Sequence, residues 1–307
     1  MKGPDWPRVA ARPMPTTDSP DVQAAASPHP IALARVGVRG VRKPVTVHRP
    51  GQAPSGVVGE FDLFVDLPAT QKGTHMSRNL EALADVLDEE VVGRETSGLE
   101  NLCLRLADRL LSRHDYATHA QVAVSADYFL TRLNPGGRPT VEAYRIHAGA
   151  EAFRAGPPVR RIGVEVVGMS ACPCAMETVR HKLREQGREL PADLPYITHN
   201  QRNRVHLVLE LPPGEDVEAA DLVDVCEAAL SAPTYEYLKR GDEGDLVLRA
   251  HNNPRFVEDV VREALAKAQE RFGTRLRGSA VFASSEAEES IHKHNAYAER
   301  RTVLGAL

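Results

Sequence analysis

Cysteine is scarce in this chain, with four among 307 residues. That number is too small for a disulfide scaffold, and it favours a reducing, cytoplasmic compartment. Long apolar runs are also missing, since no stretch approaches the roughly 20 residues of a membrane-spanning helix. A membrane partner is therefore not expected. The Pro-, Ser- and Ala-containing residues 1–30 have no apolar segment typical of a secretory signal.

A strong charge of either sign is missing as well. The formal net charge is −4, and basic and acidic residues alternate along the chain. A groove for a phosphate backbone needs a large basic surface, so nucleic acid is not an expected partner. The 42% hydrophobic and 26% charged residues are ordinary for a globular protein with a large core.

The hydrophobic pattern predicts an α+β fold. The first half runs strand, strand, helix, helix, strand, strand, and the second half repeats this order less cleanly, which favours antiparallel sheets with paired helices on one face. We expect a disordered leader at 1–33, a first module at 34–152 and a second at 153–307. The predicted strands are 36–48, 56–66, 121–132, 140–148, 159–168, 204–211 and 275–284, and the predicted helices lie near 80–87, 99–110, 174–186, 217–230 and 254–272.

The densest cluster of reactive residues is Ser170-Ala171-Cys172-Pro173-Cys174, at the end of a predicted strand. Proline is typical of the first turn of a helix, so both thiols should lie near a helix N-terminus, where the dipole favours a thiolate. A thiolate there is a metal ligand or a nucleophile. Two buried apolar cysteines at a tight turn are about equally common.

Two histidine clusters add candidate metal ligands. His199 precedes Gln201 and Arg202, which suits a ligand with polar contacts to a substrate. His292 and His294 would share one face of an extended segment and converge on one point. Each cluster alone is more typical of a solvated loop. Together with a cysteine and a carboxylate, they predict a divalent-metal site with a position open for water.

Two cationic stretches are candidate anion sites. Lys72, His75 and Arg78 enter a predicted helix, whose N-terminus attracts anions. Lys239 and Arg240 form the second stretch. Such residues are usually solvated, yet they suit a triphosphate.

Seven stretches stand in order between about residues 36 and 300: GVRGVRKPV, FVDLPATQKGTHMSRNLEAL, CPCAMETVR, LPYITHNQRNR, PTYEYLKRGDE, NNPRFVEDVVRE and ESIHKHNAY. In this order and wording they resemble the type IB GTP cyclohydrolases, a family of the tunnelling-fold (T-fold) superfamily. The resemblance implies tandem T-fold modules and a homotetramer with active sites at subunit interfaces. It also implies a divalent metal, which is Zn, Mn or Fe(II).

The implied activity is that of a GTP cyclohydrolase I. It converts GTP and water to 7,8-dihydroneopterin triphosphate and formate by opening the guanine ring at C8, the entry to folate-type pterins. The resemblance places the metal on Cys172, His199 and His292. We expect His294 to be an outer-shell or acid–base group. The expected substrate-binding residues are Lys72, His75, Arg78, Gln201, Arg202, Lys239 and Arg240.

Two positions depart from the common bacterial pattern, because Pro233 and Leu248 stand where glutamates are usual. Glu236 follows Pro233 by about one helical turn, so we expect it to supply the catalytic carboxylate, with Glu289 as the next candidate. The Pro-Thr-Tyr-Glu wording resembles the archaeal branch. That branch uses iron(II) and releases dihydroneopterin 2′,3′-cyclic phosphate.

Two other functions remain open at this point. A T-fold nitrile reductase would use Cys172 as a covalent nucleophile with NADPH and would need no metal. The histidine-rich motifs argue against it, since a thioimide mechanism does not require imidazole ligands. A non-catalytic protein would hold a structural metal in a closed four-ligand site with no exchangeable water.

Overall fold

The structure is a computed structural model that describes residues 21–47, 55–91, 98–191 and 194–306. The Pro50-Gly51 pair, which predicts a turn between the first two strands, lies outside these residues. Within them, every helix is too short or too polar to cross a membrane.

The described strands form one antiparallel sheet. Its order is β1-β2-β3-β4-β5-β6-β8-β9, and the short β7 pairs with the end of β5. The strands are β1 (Leu33–Val47), β2 (Ser55–Leu67), β3 (His119–Leu133), β4 (Pro139–Phe153), β5 (Val159–Ala171), β6 (Asn200–Leu211), β7 (Ala232–Pro233), β8 (Ala280–Ala287) and β9 (Ala296–Val303).

Paired helices cover one face of this sheet. The helices are α1 (Met76–Val91), α2 (Leu99–Arg113), α3 (Pro173–Glu185), α4 (Ala219–Ala229), α5 (Arg240–Asn252) and α6 (Val257–Phe272). The pair α1 and α2 packs below the first half of the sheet, and α4 with α6 packs below the second. The α+β class with helices on one face is therefore confirmed.

The strands separate an apolar face from a polar one. In β5, Val164 and Val166 are buried in the core, whereas Glu165 between them points to the other side. The same alternation in β4 buries Ile146 and leaves His147 on the polar side. We call the face turned away from α2, α4 and α6 the open face.

The register also defines two ends of the sheet. Ala171, at the end of β5, pairs with Asn200, at the start of β6. We call this the Cys172 end. Strand β2 finishes at the opposite end, because Val65 pairs with Ala120, which pairs in turn with Ala152 near the start of β5.

Two expectations about local structure were wrong. Pro233 does not begin a helix but lies in β7 opposite Gly168, and the next helix begins only at Arg240. His292 and His294 lie in a bent segment between β8 and β9 and not in an extended one.

Candidate active site

Cys172 lies where β5 passes into α3. It is the residue before the helix, in extended conformation, and its Sγ accepts a hydrogen bond from the Ala175 amide at 3.5 Å. Pro173 opens the helix, as the sequence predicted. Cys172 is half-buried, whereas Cys174 is exposed on the helix. The two thiols therefore have different surroundings.

Backbone hydrogen bonds fix His199 beside Cys172. The Cys172 amide donates to the His199 carbonyl oxygen at 3.1 Å, and the Thr198 hydroxyl donates to the Cys172 carbonyl oxygen at 2.7 Å. These bonds continue the ladder between β5 and β6 by one residue at its end. Two motifs that are 26 residues apart in sequence are thereby joined.

A glutamine and a glutamate orient the His199 ring. The Nδ1 atom of His199 lies 2.9 Å from Gln201 Oε1 and 3.5 Å from Glu289 Oε2. An amide oxygen only accepts, so Nδ1 carries the proton and Nε2 keeps a lone pair for a ligand bond. Gln201 Nε2 donates to Glu289 Oε1 at 3.2 Å. His199 and Glu289 side chains are only 11% and 12% exposed, so this arrangement is largely shielded from water.

The third motif brings its histidines to the same place. The rings of His199 and His292 lie 6.5 Å apart and are perpendicular, and His294 stacks on His292 at 5.1 Å. Both of these later histidines are exposed. The structure thus collects Cys172, His199 and His292 at one end of the sheet.

The C-terminal end of α5 supports this site. The Arg255 amide donates to the Ala171 carbonyl oxygen at 3.0 Å, and its guanidinium donates to the Ala229 carbonyl oxygen at 2.9 Å. His251 Nε2 lies 3.4 Å from the Thr198 carbonyl oxygen. The motif NNPRF carries Arg255, so its presence in the sequence was a signal for this contact, although no site role was predicted for it.

The predicted anion pocket of Lys72, His75 and Arg78 lies at the opposite end of the sheet. It follows β2, whereas Cys172 follows β5, and the 13 residues of β5 span about 40 Å. His75 Nε2 lies 3.0 Å from Asp21 Oδ1, and the Lys72 amide donates to the Ala25 carbonyl oxygen at 2.9 Å. These cations do not join the Cys172 site of the same chain.

Glu236, Lys239 and Arg240 lie at the other end of α5 from the Cys172 site. A helix of 13 residues is about 20 Å long, which sets their separation from the residues near Asn252. Glu236 is exposed, and its amide donates to Glu142 Oε2 at 2.9 Å. Arg202 is exposed too, on the strand that begins beside His199.

One group of side chains offers three metal-ligand atoms within 4.8 Å of one another in the part of the chain that the structure describes. It consists of His147, Glu165 and His206, on the open face. Cys172, His199 and His292 do not close to that distance within one chain, so their shared metal stays a prediction. No sequence motif indicated the first group, because its members lie on three different strands.

The chain is similar to known proteins over nearly its whole length. A family model described as type I GTP cyclohydrolase folE2 matches residues 19–298. A protein named GTP cyclohydrolase MptA from Methanoregula boonei is 42% identical over 303 residues, covering 94% of this chain and 92% of that protein. A protein of the same name from Methanothermobacter thermautotrophicus is 40% identical over 301 residues, covering 94% of each.

Among solved structures, the uricase from Arthrobacter globiformis is similar in fold. Its TM-score is 0.51 at 10% identity, covering 89% of this chain and 94% of that one. At this identity the likeness concerns the fold alone, which is the tandem-module, tunnelling-fold arrangement that the sequence predicted.

The same comparisons correct the predicted family. The motifs indicated a type IB GTP cyclohydrolase with the activity of a GTP cyclohydrolase I, and both assignments are wrong. The matching family model is that of folE2, and the similar proteins are named MptA. The reason is physical: short motifs report the residues that a site's chemistry requires, and that chemistry does not distinguish one family of GTP cyclohydrolases from another.

Proposed function

Since the chain belongs to the type I GTP cyclohydrolase folE2 family, we propose that it is a GTP cyclohydrolase that opens the guanine ring at C8 and releases formate. The observation that carries this proposal is the meeting of three separate motifs at the Cys172 end. The Cys172 amide bonds the His199 carbonyl oxygen at 3.1 Å, and the His199 and His292 rings lie 6.5 Å apart.

We infer that Cys172, His199 and His292 hold a divalent cation. One thiol and two imidazoles form a donor set that fits Zn²⁺ or Fe²⁺, and Mn²⁺ is the third candidate. The hydrogen bond from His199 Nδ1 to Gln201 supports this role, because it leaves Nε2 free as the ligand atom. When bound, such a cation supplies Lewis-acid activation of water.

Two further side chains are suited to moving protons. Glu289 lies against His199 and Gln201, where its carboxylate can accept a proton from an attacking water. His294, stacked on His292 at 5.1 Å, can donate a proton to the ring nitrogen that leaves when the C8–N bond breaks. Gln201 and Arg202 remain the nearest candidates for contacts to the substrate.

We propose that basic side chains of a neighbouring subunit bind the triphosphate. Lys72, His75 and Arg78 lie about 40 Å from Cys172 along the sheet, so they can serve a site of this kind only across an interface. Glu236, Lys239 and Arg240 lie at the far end of α5, a helix about 20 Å long, so we propose that they also act across an interface. The assembly that we propose is a homotetramer with active sites at subunit interfaces, as the motif resemblance implies. We also propose that the protein is cytoplasmic.

The product that we propose is 7,8-dihydroneopterin triphosphate. The second candidate is dihydroneopterin 2′,3′-cyclic phosphate. It is favoured by the Pro-Thr-Tyr-Glu wording at 233–236, which resembles the archaeal branch. The ring-opening step is common to both products.

The test is incubation of the anaerobically purified, metal-stripped protein with GTP and with Zn²⁺, Mn²⁺ or Fe²⁺ in turn. Formate release and mass spectrometry of the pterin identify the reaction, the metal and the product. Release of formate that Cys172→Ala abolishes and Cys174→Ala retains would support the proposal. Absence of formate with every metal would refute it.

A further inference from the structure

The open face of the sheet carries a histidine–glutamate cluster far from the Cys172 end. Glu165 on β5 is directly opposite His206 on β6. His147 on β4 is opposite Gly163, which is two residues before Glu165 on β5. Residues opposite or diagonal to each other on one face approach within reach of long side chains. Gly163 adds no side chain between them, and the Val208 side chain lies close above it.

The ligand atoms of this cluster already converge. One atom from each of His147, Glu165 and His206 lies within 4.8 Å of the others. Glu165 Oε2 is 3.4 Å from His206 Nε2, and the two imidazole centroids are 6.1 Å apart. Ligand atoms about 2.1 Å from a tetrahedral metal stand about 3.4 Å from one another, so small side-chain rotations complete the geometry.

One buried polar atom of this cluster has no hydrogen-bond partner among the residues that the structure describes. His147 Nε2 is buried without a hydrogen-bond partner in the structure, which is costly for a polar atom. Burial lowers the pKa of both His147 and His206. Arg204 forms an ion pair with Glu165 Oε1 and leaves Oε2 directed at His206.

We propose that His147, Glu165 and His206 form a second binding site for a divalent transition metal, separate from the site at Cys172. Two imidazoles and one carboxylate are a donor set that suits Zn²⁺ and Fe²⁺ and keeps positions open for water. Arg204 then acts as the outer partner that orients the Glu165 carboxylate. Cys172 is seven positions after Glu165, about 23 Å along the strand direction, so one ion cannot serve both groups.

The same face offers a matched control. His119 Nε2 lies 3.0 Å from Glu151 Oε2, and Arg161 also bonds that carboxylate, at 2.6 Å. This cluster has a histidine, a glutamate and an arginine like the proposed site but no second imidazole. His119→Gln therefore removes a histidine from the open face without touching the proposed ligands.

The experiment is a titration of the metal-stripped full-length protein with Zn²⁺, with bound metal counted per chain after dialysis. We expect two ions for the wild type and for His119→Gln, and one for His206→Gln, for His147→Gln and for Cys172→Ala. The combined Cys172→Ala, His206→Gln protein should bind none. Two independent histidine variants guard against a folding defect in either one.

Co²⁺ distinguishes the two sites by their ligands. A thiolate ligand gives a sulfur-to-cobalt charge-transfer absorption, which should vanish in Cys172→Ala and persist in His206→Gln. One ion in the wild type, lost only with Cys172, would overturn the second site. One ion lost only with His147 or His206 would uphold it and instead refute the metal site at Cys172. Equal losses in His119→Gln and His206→Gln would mark unspecific binding and overturn the proposal.

Discussion

Cys172 and Cys174 are two residues apart, yet only the first is hydrogen-bonded to His199, through its amide. The Sγ of Cys172 faces the first turn of α3, where it accepts from the Ala175 amide, while Cys174 is exposed on the helix. A serine at position 172 can still cap α3, but it lacks the soft thiolate. Capping and metal binding can therefore be separated by a single substitution.

We expect Cys172→Ser to fold with nearly wild-type thermal stability. It should lose the sulfur-to-cobalt absorption and at least about a hundredfold in GTP turnover, since the metal-activated water is lost. Cys174→Ser should retain both properties. Thermal unfolding, cobalt spectra and formate release measure the three quantities. Equal losses in the two variants would show that the thiol ligand has been assigned wrongly.

Glu289 places a carboxylate oxygen 3.5 Å from His199 Nδ1. Glu289→Gln keeps the size of the side chain and its contact with Gln201 but removes the charge. We expect about a hundredfold lower turnover with the metal retained, because a proton acceptor and not a ligand is removed. Glu288→Gln is the control, since that neighbouring side chain is 51% exposed. Unchanged turnover in a folded Glu289→Gln protein would exclude this role.

Glu236 remains a predicted catalytic carboxylate, and we propose that it acts on the site of another subunit. It is exposed, so Glu236→Gln should leave stability within about 0.5 kcal/mol of the wild type. At the same time we expect at least about a hundredfold loss of turnover. Glu243→Gln, an exposed glutamate in the next helix, should keep full turnover. Normal turnover in Glu236→Gln would leave Glu289 as the acting carboxylate.

At the scale of elements, the sequence was informative wherever apolar residues recur regularly. The leucines of α2 predicted a helix at 99–110, and the structure has Leu99–Arg113. Alternation predicted β3 and β4 within a few residues. The predicted helix end before Gly187 is also confirmed, since that glycine has a φ of 68°, which side-chain-bearing residues rarely adopt.

The missed elements are those that tertiary contacts stabilise. Helix α5 contains two glycines and buries only Asp242, Leu246 and Ala250, so its apolar period is weak. Asp242 accepts from the Lys239 amide at 3.0 Å and caps it. Strand β9 is a charged edge strand defined by its pairing with β8. Glu236 was expected at the site because it follows Pro233 by about one helical turn, but Pro233 lies in β7 and α5 begins only at Arg240.

The residues of the candidate site were predictable where they stand in contiguous sequence motifs. Cys172, His199 and His292 each stand in such a motif, and the structure brings them to one end of the sheet. His147 and His206 stand in none, because strand pairing alone makes them neighbours. The pairing register of the strands, which sequence motifs do not show, decides which of these residues are neighbours.

Helix α2 carries a buried acid at its start. Glu100 is 2% exposed, and its burial, with repulsion from Asp216, raises its pKa to about 7. A raised pKa means that the folded state favours the protonated form. Its stabilising contribution is therefore full below the unfolded pKa near 4.5 and is lost as the pH rises through about 7.

We expect Glu100→Gln to be more stable than the wild type above pH 7, by about 3 kcal/mol at most. The difference should shrink toward zero as the pH falls to about 4.5, because glutamine resembles the protonated acid. Urea unfolding at several pH values measures this. Glu177→Gln, whose glutamate is 68% exposed, should change stability little at any pH. A pH-independent difference for Glu100→Gln would contradict the raised pKa.

At the scale of the whole molecule, the two predicted modules share one sheet. Strand β4 of 34–152 pairs with β5 of 153–307 from Arg145 opposite Glu165 to Glu151 opposite Val159. The boundary at 152/153 itself stays a prediction. A continuous sheet holds its two ends apart, so a substrate that needs both ends must lie between chains.

This geometry makes complementation between two inactive chains the decisive test of the assembly. One chain carries Cys172→Ala, and the other carries Lys72→Ala with Arg78→Gln. If each site takes its metal ligands from one chain and its cations from another, random 1:1 mixing gives about a quarter of the sites both intact halves. We therefore expect co-refolded mixtures to recover about a quarter of wild-type turnover, although each variant alone is nearly inactive. Turnover no higher than the sum of the separate variants would show that the two ends of the sheet do not share a site. Wild-type turnover in the Lys72→Ala, Arg78→Gln chain alone would show that this loop does not hold the triphosphate.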